Sequence, residues 1–249
     1  MIVSHLHKFI FVKGTKVGGT SVEMALSAIC GPDDIVTPVT PVDDKPRIER
    51  GHVPRNYAVT RATEIEYARR IRDAAPEELD RIRIPVTESR FFNHMPLARA
   101  ERMLGPAVDD YTVVCVERNP YEKVISLANW FMQAPEYHQG RAMKFDPGVV
   151  KATVDRMIAN GFILRCKNIG RYRRRAGELA PRVLRFESLA DDFAAFVREL
   201  GLRDNPPTLP HAKKGNYKAR PLDVLEPSQV SAINELFRDE FAFFGYAVA

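Results

Sequence analysis

The feature that most constrains the fold is a short apolar run, 7–13 (HKFIFVK), that leads through a loop of lysine and glycine into a helical pattern. In that pattern Val22, Leu26 and Ile29 recur at the spacing of one helix face. Where a strand passes through a tight loop into a helix, free backbone N–H groups and the helix dipole favour a bound anion. The order of elements therefore predicts an α/β fold with an anion-binding loop.

Strand and helix patterns alternate along the rest of the chain. The run 111–117 (YTVVCVE) is typical of a strand buried on both faces, and 182–186 (RVLRF) predicts another. We expect one domain over 1–249, with a P-loop-like three-layer fold in which helices flank a central parallel sheet. The proline-rich segment 33–90 has little periodicity and is expected to be a variable surface excursion. Helices are predicted over 62–74, 96–104, 121–131, 149–160, the stretch behind 182–186, and 227–240.

Composition bounds the class of protein. Among 249 residues, 45% are hydrophobic and 28% charged, which is typical of a soluble globular chain. No apolar run approaches the roughly 20 residues of a membrane-spanning helix, and the first residues lack a secretory pattern. The sequence predicts a cytoplasmic protein without an integral membrane segment. Its net charge of +5 favours anionic ligands without requiring nucleic acid.

The first motif is the loop 13–21 (KGTKVGGTS). It resembles the P-loop pattern GxxxxGK[ST] with Gly14, Gly19 and Ser21 in register, but Thr20 occupies the lysine position and a lysine comes earlier, at Lys16. Kinases use that lysine with Mg²⁺ to neutralise the terminal phosphates, whereas a sulfuryl group carries less charge and transfers without a metal. The departure favours a phosphosulfate donor.

The second motif directly follows the buried strand and reads ERNPYEKVIS over 117–126. Arg118 stands at the carboxyl end of that strand, where α/β proteins bind ligands, and its planar guanidinium suits a phosphate. Pro120 favours the first turn of a helix, and Ser126 lies about two turns further on. The motif predicts a second anion contact.

The two motifs together resemble the sulfotransferase superfamily that uses 3′-phosphoadenosine 5′-phosphosulfate (PAPS), specifically its carbohydrate group. That group carries PKTGGTS after its first strand, with Thr15 and Val17 replacing two of its residues here, and RNPYER…S later, with Lys123 as the departure. The junction 185–189 (RFESL) and the terminal FAFFGY also match. The residues that match the first motif are Lys16, Gly18, Gly19, Thr20 and Ser21.

The resemblance implies a metal-free transfer from PAPS to an acceptor hydroxyl. Lys16 would contact the bridging oxygen and leaving phosphate, and Arg118 and Ser126 would bind the 3′-phosphate. A late basic loop, 210–217, would close over the donor, with Lys213 or Lys214 screening its phosphates; a solvated basic loop is the alternative interpretation. The candidate donor-binding residues are Lys13, Lys16, Gly18, Gly19, Thr20, Ser21, Arg118, Ser126, Lys213 and Lys214.

A general base must take the acceptor proton, and histidine is the commonest group for that task. The resemblance supports His94 for this role, and His52, in the proline-rich segment, is the second candidate. His5 and His7 have the spacing of one strand face, but two histidines without a third ligand are weak evidence for a metal, and none is predicted. The acceptor is expected to be a glycan or a small hydroxyl compound, bordered by 33–90.

Alternative interpretations stay open. A P-loop kinase would require Mg-ATP, and a non-catalytic module would bind polyanions through its basic surface. The basic run 171–175 (RYRRR) is interpreted as a solvated surface, and Trp130 with Phe131 as packing at a helix end. Oligomeric state is not predicted.

Overall fold

The computed structural model describes residues 1–138, 145–179, 181–202, 206–210 and 220–249, which form an α/β structure around one mixed sheet. The strands are β1 (Ile2–Ser4), β2 (Phe9–Val12), β3 (Ile35–Val36), β4 (Thr112–Glu117) and β5 (Arg182–Arg185). The helices are α1 (Gly19–Ser27), α2 (Pro41–Glu49), α3 (Arg61–Asp73), α4 (Leu97–Leu104), α5 (Pro120–His138), α6 (Pro147–Ala159), α7 (Leu189–Glu199), α8 (Pro221–Val224), α9 (Pro227–Leu236) and α10 (Arg238–Phe244).

The sheet has the strand order β3-β1-β2-β4-β5. Its centre is parallel, because β2 pairs with β4 in the register Val12↔Cys115. β1 pairs antiparallel with both β2 and β3, so the prediction of a parallel sheet is correct for the central pair and wrong for that side of the sheet. The reason is a short turn between β1 and β2, which contains His5 and His7 and removes them from the strand face predicted for them. Such a turn joins only antiparallel neighbours.

Contacts divide the chain into two compact units that alternate along the sequence. The first unit comprises Met1–Lys13, Gly18–Val116 and Arg171–Lys213. The second unit comprises Gly14–Val17, Glu117–Gly170 and Lys214–Ala249. Each unit has apolar side chains buried in its own interior. The expectation of one domain over the whole chain stays a prediction.

The first unit contains the sheet, and residues of the proline-rich segment 33–90 are part of its buried core. β3 lies inside 33–90, and the Arg47 side chain of α2 is buried there against Asp44, at 2.6 Å, and the Thr37 carbonyl, at 2.9 Å. The prolines of this segment indicate a loop, so the sequence did not predict α2. Pro41 nevertheless suits the first turn of the helix. Thr40 caps the helix by accepting a hydrogen bond from the Asp43 N–H. A segment expected to be irregular and on the surface thus supplies buried structure.

The second unit is helical and packs around α5. Val124 on α5, Val154 on α6 and Ile233 on α9 are fully buried in one apolar cluster. The single helix predicted over 227–240 is divided at Phe237, whose backbone leaves helical geometry and whose side chain is buried in the same cluster. The break in the helix therefore coincides with the residue whose ring is buried in the cluster.

A buried ion cluster crosses this apolar interior. The Lys123 ammonium lies 2.7 Å from Glu117, which ends β4, and also contacts Glu240 on α10; all three side chains are inaccessible to solvent. Burial raises the pKa of Glu117 because it disfavours the carboxylate, and the charge of Lys123 opposes that rise. Burial alone would lower the pKa of Lys123, but the two carboxylates raise it above its ordinary value. Lys123, a departure from the family pattern, is therefore a structural cation.

Replacing Lys123 with Met should destabilise the protein by about 3–5 kcal/mol, because it leaves two buried carboxylates without their cation. Urea unfolding followed by circular dichroism measures the change. The matched control is Lys8→Met, since the Lys8 side chain is 66% exposed and pairs only at the surface with Asp110. Equal unfolding midpoints for the two variants would contradict the structural role of Lys123.

Candidate functional site

In the first unit, the loop after β2 turns at Gly18 into the N-terminus of α1. Gly18 has a φ of 78°, and a Cβ there would lie 2.7 Å from the Phe186 ring, so only glycine fits. Among the residues that the structure describes, no side chain caps α1, and the first turn of this helix contains no acidic residue. Thr20 and Ser21 lie in that turn and are partly exposed. The N–H groups of this turn can therefore bind an anion.

Lys13, the residue after β2, belongs to a buried ion pair. Its Nζ lies 2.8 Å from Oε2 of Glu23, on the second turn of α1. Burial alone would raise the pKa of Glu23, but the positive charges around it, with Lys13 foremost, bring it well below its usual range. The pair fixes the β2 end against α1. A contact between the Lys13 ammonium and the donor stays a prediction.

His94 lies beside this loop. Its Nδ1 is 3.1 Å from the carbonyl oxygen of Lys13, and its backbone has a left-handed φ of 60°. Burial, helped by the positive charge of Lys13, lowers the pKa of His94 to about 4. A neutral ring that donates from Nδ1 to this carbonyl has its lone pair on Nε2. This is the tautomer that a general base needs.

Arg171 holds the His94 turn, a role that the sequence did not reveal. Its Nη1 donates to the His94 carbonyl at 2.8 Å. The rest of the basic run is also bound within the unit: Arg174 pairs with Glu101 at 2.8 Å, and Arg175 pairs with Asp109. The interpretation of 171–175 as a solvated surface is therefore wrong for Arg171 and Arg174, whereas Arg175 is exposed and its ion pair lies at the surface.

In the second unit, two hydrogen bonds from one buried amide fix the loop backbone before Lys16. The Thr15 N–H donates to Oδ1 of Asn168 at 2.8 Å, and Nδ2 of Asn168 donates to the Thr15 carbonyl at 3.1 Å. The next residue, Lys16, has a left-handed φ of 64°, which is uncommon outside glycine. Thr15 stands where the sulfotransferase pattern that this loop resembles has proline, and it supplies the N–H that proline lacks.

The Lys16 side chain lies beside the second motif. Its Nζ is 5.5 Å from the centre of the Trp130 ring. Glu122, Ser126 and Trp130 follow one another at the spacing of a helical turn on α5, so they share one face. Trp130 is 52% exposed, and Phe131, 47% exposed, packs with its ring centre 5.3 Å from that of Phe162. The prediction that the two residues lie at a helix end is wrong, because α5 continues to His138. We name this stripe of Glu122, Ser126 and Trp130 the α5 face.

Arg118 stands directly before this helix and is mostly buried. Its Nη2 donates to Oε2 of Glu122 at 2.6 Å, and its backbone N–H donates to Glu117 at 2.9 Å. The guanidinium is thus oriented by a carboxylate of the α5 face. A phosphate bound there would share that guanidinium with Glu122, and Ser126, partly exposed one turn further on, offers a hydroxyl.

The remaining sequence candidates have weaker support or lie elsewhere. His52 is partly exposed, and burial together with Arg55, Arg50 and Arg47 lowers its pKa. Lys213 and Lys214 lie outside the described residues. Over the described ranges, no group of three or more metal-ligating side chains occurs. In the same part of the chain, no helix combines the length and apolar character needed to cross a bilayer.

No family model, curated protein or solved structure matches the chain.

Replacing His94 with Gln should flatten the dependence of stability on pH. The folded protein lowers the pKa of His94 from 6.5 to about 4, so the unfolded chain binds the extra proton between those values. The stabilisation from the neutral ring is complete above pH 6.5 and is lost as the pH falls towards 4. The free energy of unfolding, measured by urea titration at half-unit pH steps, should fall more steeply in the wild type than in the variant. Parallel curves would contradict the burial of a neutral His94.

Proposed function

We propose that this protein is a sulfotransferase with a P-loop-like fold that moves a sulfuryl group from PAPS to the hydroxyl of a carbohydrate or small alcohol. One observation carries the proposal: the second unit brings Lys16 of the first motif to Trp130 on the α5 face, which also includes Ser126 and begins at Glu122, the partner of Arg118. A loop lysine beside the helix of a second anion motif suits a donor that carries a phosphate at each end, because cations form charge-assisted hydrogen bonds to phosphate.

Residues of both motifs fit the donor. In the first unit, the N–H groups of the first turn of α1 are available to an anionic group of the donor. In the second unit, Lys16 balances charge on the leaving phosphate. Arg118 and Ser126 bind the 3′-phosphate. The left-handed backbone at Lys16, held by Asn168 through Thr15, fixes the direction in which the lysine leaves the loop.

The acceptor reacts through its hydroxyl oxygen, which forms a bond to sulfur as the bond between sulfur and the phosphate oxygen of PAPS breaks. The products are a sulfate ester, adenosine 3′,5′-bisphosphate and one proton. His94 accepts that proton at Nε2, because Nδ1 is engaged by the Lys13 carbonyl. Arg171 is a positioning residue, since it holds the His94 backbone and not the ring.

Calorimetric titration separates this proposal from a kinase. Adenosine 3′,5′-bisphosphate should bind without metal and more tightly than ATP with Mg²⁺, because Thr20 stands where a kinase has its lysine. Arg118→Ala should weaken bisphosphate binding at least tenfold by removing charge-assisted hydrogen bonds. Arg69→Ala is the control, since Arg69 lies on the exposed surface of α3. A preference for Mg-ATP would establish the kinase alternative and reject the proposal.

Turnover tests the base. With an accepted acceptor, His94→Ala should lower kcat by about 10²–10⁴-fold while bisphosphate affinity stays within threefold. His52→Ala, the matched histidine variant, should retain turnover. The acid limb of kcat/KM for PAPS, which reports the free enzyme, should lie near pH 4, the value to which burial and Lys13 lower the pKa of His94. Loss of turnover in His52→Ala with retention in His94→Ala would reverse the assignment.

A further inference from the structure

The indole ring of Trp130 lies on the α5 face and takes little part in the packing of the second unit. The ring is 52% exposed, and among the described residues the apolar cluster around α5 does not include it. The buried side of this helix consists of residues such as Val124, Ile125 and Ala128, which are inaccessible to solvent. Packing therefore fixes the helix but does not account for the exposed ring.

The Trp130 ring contacts the ammonium group of Lys16. Nζ lies 5.5 Å from the ring centre. A lysine ammonium within about 6 Å of an aromatic centroid is attracted by the negative face of the ring, and tryptophan attracts cations more strongly than tyrosine or phenylalanine does. The contact joins two parts of the second unit that are far apart in sequence, the loop of the first motif and the helix that follows Arg118.

The length of the Lys16 side chain gives this contact its importance. The Lys16 backbone is held in a left-handed conformation next to Thr15, whose N–H and carbonyl are both bound by Asn168. Beyond Cβ, a lysine has a flexible four-carbon stem, and fixing its rotamers is entropically unfavourable. The hydrogen bonds of Asn168 thus determine where the side chain begins, and the Trp130 ring determines where its charged end lies.

We propose that Trp130 is a positioning residue, whose ring holds the Lys16 ammonium at the α5 face for the leaving phosphate of the donor. The inference rests on the proposed function, which gives Lys16 its role toward that phosphate. It adds a residue that lies outside both motifs, because the second motif ends at Ser126. The ammonium has three N–H donors, so it can bind a phosphate oxygen while it stays over the ring.

A double-mutant cycle tests whether Trp130 acts through Lys16. In calorimetry with adenosine 3′,5′-bisphosphate, Trp130→Leu should weaken binding about two- to fivefold, the strength of one exposed cation–π contact. In a Lys16→Met background the same substitution should have no further effect, because the ammonium is absent. Trp130→Phe should bind within about twofold of the wild type, since a phenyl ring also attracts cations. Equal weakening by Trp130→Leu in both backgrounds would overturn the proposal.

Phe131→Leu is the matched control for the loss of an aromatic side chain. Phe131 is the next residue of α5 and is 47% exposed, and its ring packs against Phe162. Because Phe131 is not part of the α5 face, its substitution should leave bisphosphate affinity unchanged. If Phe131→Leu weakens binding as much as Trp130→Leu does, the effect belongs to the helix in general and the proposal is wrong.

Fluorescence tests the contact without any donor, because Trp130 is the only tryptophan of the chain. A protonated amine close to an indole ring quenches its emission, so Lys16→Met should raise the emission intensity. Lys151→Met is the control and should leave the intensity unchanged, because the Lys151 ammonium is paired with Glu226. Equal intensities in the wild type and Lys16→Met would contradict the contact and overturn the proposal.

The outcomes keep the two proposals distinguishable. Absence of bisphosphate binding by the wild-type protein would reject the sulfotransferase function, and with it the role of Trp130 toward the donor. Bisphosphate binding that needs Arg118, together with equal effects of Trp130→Leu in both backgrounds, would reject only the role of Trp130 and leave the sulfotransferase function standing.

Discussion

The buried carboxylate of Glu240 is the point on which the order of the second unit depends. It accepts from the Lys123 ammonium and from the backbone N–H groups of Asn168 and Ile169. Asn168, so held, directs its side-chain amide to both backbone groups of Thr15, and Lys16 follows in its left-handed conformation. The buried charge of Glu240 thus fixes the backbone next to Lys16 through two sets of hydrogen bonds, first to Asn168 and then from Asn168 to Thr15. A buried carboxylate that accepts from several donors holds those donors in fixed positions, which an apolar contact does not do.

The fold was predictable where one residue pattern determines one element. β2, β4 and α6 agree with their apolar patterns because burial on known faces decides their structure. β1 and β3 are too short to leave a pattern, and their pairing depends on partners distant in sequence. α2 escaped prediction because its prolines indicate a loop, although Pro41 suits a first helical turn and Pro46 is tolerated within a helix of only nine residues. The sheet is only partly parallel because a short turn, and not a helical crossover, joins β1 to β2.

The residues of the candidate site also differ in whether the sequence could predict them. The motifs indicate Lys16, Arg118 and Ser126 because glycine, arginine and serine at those spacings have a direct chemical meaning. Asn168 and Arg171 act on backbone atoms of residues far away in sequence, and no local pattern identifies such partners. The spacing of four residues from Ser126 to Trp130 predicts that both lie on one helix face. The exposure of the Trp130 ring is not predictable in this way, because it depends on the elements packed around the helix.

The low pKa of His94 has a bearing on the proposed chemistry. A base with a pKa near 4 is always available at neutral pH, but it is a weak base, since efficiency is greatest when the pKa lies near the working pH. The two largest causes that lower that pKa are burial and the charge of Lys13, and the effect of the charge depends on what else is bound. An anion bound at the loop would offset the charge of Lys13 and stabilise the imidazolium, so the pKa of His94 would rise towards the working pH. The base would then strengthen only after the donor binds. In the absence of the bound donor, the His94 ring would have little tendency to take a proton from an acceptor hydroxyl.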